Sequence, residues 1–321
     1  MLTQTLVEKD ARPAFRPYLV SVVSIRRLSP HFVRVTFTGE LLDFFGTDRL
    51  DQRIKLMFPV EEGPHAGTLS DVGTHDEESV LRGEWYSIWR ELPDEQRSPI
   101  RTYTVRAVRP ELREIDVDMV VHEVGGGPAS RWVARAVPGD ELLIIGPDAR
   151  SLSSAVGIDW QPGTATQQLL LGDETAAPAI CSILETLPEG HTARAFIEVP
   201  TSADVLEPWL APGASVTWLP RDGQPVGVLL EAALREWVAG NGDVIRPSLA
   251  ASAQEVEEID VDTQLLWDSP GAAPGAKFYS WIAGESAVIK TLRRFLVTET
   301  GIDRKRVAFM GYWRLGRAEG Q

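Results

Sequence analysis

Apolar and polar residues alternate in short runs from Tyr18 to Pro147, whereas from Gln168 onward solid apolar runs are followed by helical stretches. That change of period divides the chain. Tyr18 to Ile25 and Phe32 to Phe37 are rich in β-branched residues and flank Ser29-Pro30, which predicts a hairpin. Gln52 to Phe58 reads as a third strand, with Lys55 set among apolar neighbours. Residues 60–80 hold Gly, Pro, His and acidic positions and read as loop. The aromatic stretch through Trp85, Tyr86 and Trp89 shows no period and fits no element. Arg101 to Arg106 (RTYTVR) alternates between Pro99 and Arg109-Pro110. As one strand it places Thr102, Thr104 and Arg106 on one face and Arg101, Tyr103 and Val105 on the other. Ile115 to His122 alternates again, Pro128 opens a short helix through Arg135, and Glu141 to Ile145 is a last strand before Gly146-Pro147. Many short strands with Gly/Pro turns predict a small antiparallel β-barrel.

The second half changes character after a linker-like stretch at 148–166. Gln168 to Leu171 is a short apolar strand, then Gly172-Asp173-Glu174-Thr175 leads into a helix from Ala176 to about Leu187. Thr192 to Val199 and Ser215 to Leu219 read as strands, and Gly227 to Val238 as an amphipathic helix. Residues 239–276, with Gly, Pro, Ser and an acidic block at Glu255 to Asp262, read as an insertion with little core. Phe278 to Ala283 is a strand, Ser286 to Glu299 a helix and Val307 to Tyr312 a strand. Strand, glycine turn and helix in repetition predict an open parallel α/β sheet. The expected organisation is an arm at 1–17, a barrel domain at 18–150, and an α/β domain at 151–321 with its insertion at 239–276.

Composition narrows the function. The 321 residues suit two domains, and a formal net charge of −14 argues against nucleic acid, which needs a basic footprint. One cysteine, Cys181, excludes an intramolecular disulfide. No apolar run is long enough for a membrane span, and the first residues lack a signal-peptide pattern, so a cytoplasmic protein is expected. The five histidines show no metal-ligand spacing, and no G-x-S-x-G elbow is present.

Three stretches can carry chemistry. RTYTVR offers guanidiniums, hydroxyls and one aromatic ring, a surface for a flat anionic ligand; taken alone, the six residues are better explained as an exposed strand with cross-strand pairs. Gly125 to Ser130 at a helix start suits a diphosphate, or is a flexible turn. Gly172 to Ile180 lies where a strand's carboxyl end meets a helix, the usual ligand position in an open α/β sheet. It lacks G-x-G-x-x-G, and capping by Asp173 or Thr175 accounts for its polar residues without a ligand. Ala283-Gly284-Glu285-Ser286 is a second turn of the same kind.

The ordered set RTYTVR, VVH-EVGGGPASRW, PGDELLIIGP, LLLGDETAAPAI, AGESAVIKTLRR and VAFMGYWRLG resembles the siderophore-interacting proteins. These are flavin-dependent ferric-siderophore reductases of the ferredoxin-reductase-like superfamily. The likeness runs from about Tyr18 to Arg317, leaving out residues 60–97 and 239–276. It implies an FAD-binding β-barrel followed by an NAD(P)H-binding α/β domain. The FAD residues implied are Arg101, Thr102, Tyr103, Thr104, Arg106, His122, Gly126, Gly127, Ala129, Ser130 and Trp132. Tyr103 would stack on the isoalloxazine, Thr104 would lie near its N5, and Arg101 and Arg106 would serve phosphates or anchor the strand. Gly172, Asp173, Glu174, Thr175, Gly284 and Glu285 would border the nicotinamide donor, with reduced ferredoxin as the alternative donor. Family members carry Gly-Asp after the His; Glu123-Val124 stand there in this chain. An often anionic ferric siderophore needs basic docking groups, for which Lys55, Arg150 and Arg314 are the candidates. Two other functions compete: a general NAD(P)H:flavin or ferredoxin-type reductase with another acceptor, and a siderophore carrier that does not turn over.

Overall fold

The computed structural model describes residues 7–121, 126–254, 259–260, 264, 266–271 and 274–316. The chain divides into two compact units between Ile158 and Asp159. The first unit holds β1 (Phe15–Arg27), β2 (Phe32–Thr38), β3 (Arg53–Met57), α1 (Glu77–Arg82), α2 (Trp85–Glu91), β4 (Ile100–Thr104), β5 (Ala107–Arg109), β6 (Glu114–Val120), α3 (Pro128–Val133) and β7 (Glu141–Pro147). Its strands form one antiparallel sheet in the order β4-β3-β7-β1-β2-β6-β5. Alternate residues Val20, Phe37, Ile54, Leu56, Val117 and Ile144 fill its interior. Each such side chain contributes about 1.5–3 kcal/mol by leaving water.

RTYTVR is not one strand but the seam between the sheet's two edges. Thr104 ends β4 opposite Arg53. The Val105 N–H then donates to the Gln52 carbonyl at 3.2 Å, and the Arg106 N–H turns to the Asp116 carbonyl at 3.0 Å. From Ala107 the chain pairs with β6 as β5. The hexapeptide therefore changes partners midway, which a two-residue alternation cannot reveal.

The unassigned aromatic stretch is α2. Trp89 is buried with Met57, Val72 and Leu143 on the sheet's second face, and Trp85 packs against them. The Trp89 indole donates to the Ser98 carbonyl at 2.9 Å. Two helical turns are too short for a period to show in sequence. Residues 10–17 are less free than an arm: β1 begins at Phe15, and Asp10 bridges Ser151. The stretch after residue 150 belongs to this unit too, since Gln52 Nε2 donates to the carbonyls of Ser154 (2.8 Å) and Val156 (3.0 Å).

The second unit holds β8 (Gln167–Gly172), α4 (Ala177–Glu185), β9 (Thr192–Val199), β10 (Ala214–Pro220), α5 (Val228–Gly240), α6 (Gly242–Ile245), β11 (Trp267–Asp268), β12 (Phe278–Glu285), α7 (Ser286–Arg293) and β13 (Val307–Trp313). The order is β10-β9-β8-β12-β13-β11, parallel except for β11. β12 is buried along its whole length, as a central parallel strand covered on both faces must be. Cys181 is buried in α4. Residues 239–276 carry more core than expected: Ile245 and Leu266 are buried in the unit's main cluster, and β11 pairs with β13. The helix predicted over 286–299 continues past α7 as a wider π-helical turn, Arg294–Glu299.

Candidate functional site

In the first unit, β4 is an edge strand, and the turn before α3 lies against it. Gly127 faces the Arg101 guanidinium: a Cβ there would stand 3.8 Å from Nη2 and 3.9 Å from Nε. A cation is thus held beside a glycine turn that opens a helix, a fitting seat for a phosphate group. Arg131 braces the turn by donating to the Gly126 carbonyl at 2.7 Å and pairing with Glu61. The Arg131 hydrogen bond holds the Glu61 carboxyl below its ordinary range. Tyr103 is half-buried and packs against the barrel core, and Arg101 and Thr102, its neighbours along β4, are half-buried too. Thr104 and Ala129 are buried, and Ser130 is partly exposed. Trp132 lies in the core, 6.2 Å from Phe37 and 5.4 Å from Phe58 between ring centroids, where it fastens α3 to the barrel. His122 and Gly125 lie outside the described residues.

Arg106 joins an ion-pair network on the neighbouring strand. It sits 3.5 Å from Asp118, whose carboxylate also takes two bonds from Arg34 at 2.6 and 2.8 Å. Asp116 beside it accepts from Arg109 and Thr36. Burial works against ionising Asp116, but those bonds outweigh it and keep its carboxyl below the ordinary range. Arg106 therefore anchors the seam.

The three basic docking candidates have different surroundings. Lys55 Nζ donates to Thr102 Oγ1 at 3.2 Å, across the pair that β3 and β4 form at that register. Arg150 clamps Asp148 at 2.7 and 2.9 Å and lies over the Phe44 ring at 3.9 Å. Arg314, in the second unit, donates to the Gln264 carbonyl at 3.4 Å.

In the second unit the carboxyl ends of β8 and β12 meet at Asp173. Its Oδ1 accepts from the Thr175 N–H (2.9 Å) and hydroxyl (2.5 Å). Its Oδ2 accepts from the Glu285 N–H (2.8 Å) and the Trp313 indole (2.7 Å). The Thr175 bonds close a turn ahead of α4, whose own N-cap, Ala176, has no side-chain cap. Gly284, at φ +151°, is required here, because a Cβ would approach Asp173 Oδ2 to 2.6 Å. Burial and the Glu174 charge push the Asp173 carboxyl up to about 7, against hydrogen bonds that favour the charged form. Glu174 is held bidentately by Arg221 at 2.7 and 2.9 Å, and Arg221 also reaches Glu198 at 3.4 Å. Glu285 caps α7 through the Ala287 and Val288 N–H groups. Sequence reasoning missed Glu198, Arg221 and Trp313. A lone acid at the end of the apolar run in β9 was the available signal for Glu198.

An antiparallel half-barrel sheet followed by a mostly parallel α/β sheet is the fold of ferredoxin reductases of known structure, which share it at 10–13% identity. The chain belongs to the siderophore-interacting protein family: the siderophore-interacting FAD-binding domain matches residues 21–151, and the siderophore-interacting protein domain matches residues 165–316. The "NADPH-dependent ferric-chelate reductase" of Escherichia coli is 29% identical over 92% of this chain and 91% of its own. The "Ferric vibriobactin reductase ViuB" of Vibrio cholerae is 27% identical over 94% of this chain and 91% of its own. The crystal structure of a siderophore utilization protein from T. fusca superposes with a TM-score of 0.66 at 28% identity, covering 97% of each chain. Among the described residues no helix is long and apolar enough to cross a membrane.

Proposed function

We propose that this protein is an FAD-dependent ferric-siderophore reductase that takes electrons from a reduced nicotinamide and releases iron as Fe(II). The observation that carries this reading is the Arg101 guanidinium held against Gly127 at the start of α3, on the same edge strand as the half-buried Tyr103. When bound, FAD supplies the conversion of a two-electron hydride donor into one-electron steps. Arg101 and the Gly126–Ser130 turn would hold its diphosphate, Tyr103 would offer a flat face to the ring, and Thr104 would fix the end of β4. Arg106, through Asp118, keeps that strand in register. The names of the two reductase relatives support ferric chelates as the acceptor class. Lys55, half-buried on Thr102, would draw the chelate toward this edge; Arg150, and Arg314 of the second unit, are the further docking candidates. A hexadentate chelate already fills the iron coordination sphere, so no iron ligand from the protein is needed. Fe(II) binds oxygen donors more weakly, which releases it.

The test is an anaerobic visible spectrum of the purified protein. NADH or NADPH should bleach its flavin absorbance, and a ferric siderophore should restore it while ferrozine traps Fe(II). Bleaching by dithionite alone, with restoration by the chelate, would move the donor to ferredoxin. A colourless protein that takes up no FAD would overturn the reading.

A further inference from the structure

In an open α/β sheet the helix N-termini along the carboxyl edge are the natural seats for a dinucleotide's phosphates. Here two such helices, α5 and α7, are closed by carboxylates of the chain itself, and Asp173 holds the turn before a third, α4. Before α4, Asp173 Oδ1 takes the Thr175 N–H, its carbonyl takes those of Ala176 and Ala177, and Pro178 has none to give. At α5, Glu198 takes the N–H groups of Gly227 (2.7 Å), Leu229 (3.2 Å) and Leu230 (3.3 Å). At α7, Glu285 takes those of Ala287 (2.7 Å) and Val288 (3.0 Å). These carboxylates hold the backbone donors of those turns and add negative charge.

The same holds where the adenosine ribose of a dinucleotide falls, at the end of the second strand of the motif, β9. Asp204 is fully buried and accepts from the Thr201 N–H (3.1 Å) and hydroxyl (2.7 Å). Asp222, exposed at the end of β10, accepts from the Ser202 N–H at 2.9 Å. The neighbouring cation, Arg221, is taken by Glu174 and Glu198. Arg314 follows β13, on the other side of the β8–β12 crevice. A 2′-phosphate would therefore meet Asp222 with its nearby guanidinium already committed, whereas a 2′-hydroxyl can donate to that carboxylate.

We propose that the donor is NADH and that Asp222, on the backbone of Ser202, selects the 2′-hydroxyl and excludes the 2′-phosphate of NADPH. The inference rests on the nicotinamide-donor reading above. The experiment has two readouts on the FAD-loaded protein. In stopped flow, kcat/KM for bleaching should favour NADH over NADPH by about tenfold or more, the scale of an unrelieved like-charge contact. In calorimetry, 5′-ADP should bind more tightly than 2′,5′-ADP. Asp222→Arg should cut both preferences by about tenfold, and Asp222→Asn should narrow them with less perturbation of the turn. Preference for NADPH and 2′,5′-ADP in the wild-type protein would overturn the inference and leave the nicotinamide reading standing. A protein that binds neither nucleotide and is bleached by neither donor would overturn both.

Discussion

The Trp313 indole donates to Asp173 Oδ2 at 2.7 Å, joining the end of β13 to the end of β8 across 140 residues of sequence. The same oxygen takes the Glu285 N–H at the end of β12. One buried carboxylate thus gathers three parallel strands at the edge where the donor would enter.

That carboxylate should make stability depend on pH. Burial and the Glu174 charge raise its folded value to about 7, above the ordinary 3.8. Between these values the folded state binds the extra proton, so this group's contribution to stability falls as pH rises from about 4 to about 7. Thermal unfolding of the wild-type protein and Asp173→Asn across this window should show a slope from Asp173 that the variant lacks. Equal slopes would assign the titration elsewhere.

Gly284→Ala should be among the most damaging small substitutions in the second unit. Its methyl would press on Asp173 Oδ2, and φ +151° suits only glycine. Strain and overpacking together predict a loss of about 3 kcal/mol, read by urea denaturation. A loss below about 1 kcal/mol would show that Asp173 can move aside.

Removing the Arg101 guanidinium should loosen FAD specifically. Losing a charged hydrogen bond predicts a Kd for FAD about ten- to a hundredfold higher in Arg101→Ala. Arg101→Lys should fall between, because a single ammonium cannot reproduce the planar fork. Titrating apoprotein with FAD by flavin fluorescence measures both. Unchanged affinity would remove Arg101 from the site.

Lys55 and Arg150 should fail in different ways. Lys55→Met should raise KM for a ferric siderophore several-fold and leave bleaching by the nicotinamide unchanged. Arg150→Met strips Asp148 of its clamp and should cost about 2 kcal/mol, seen as a lower Tm. A KM effect from Arg150→Met at unaltered Tm would assign Arg150 to docking rather than to the clamp on Asp148.

The two-part architecture was legible in the sequence because strand alternation and the strand–turn–helix rhythm are local properties. Thr192 to Val199 matches β9 residue for residue, and Pro128 does open α3. The seam within RTYTVR was not legible, since whether Arg106 faces a ligand or Asp118 depends on which strand lies opposite. Asp173 read equally as ligand contact or cap; its bonds to Trp313 and Glu285 exist only once β8, β12 and β13 lie side by side. Sequence by itself set the residue types, the order of elements and the family likeness. Tertiary structure alone decided which charges were already spent on one another, because hydrogen bonds and ion pairs act over a few ångströms and join residues far apart in the chain.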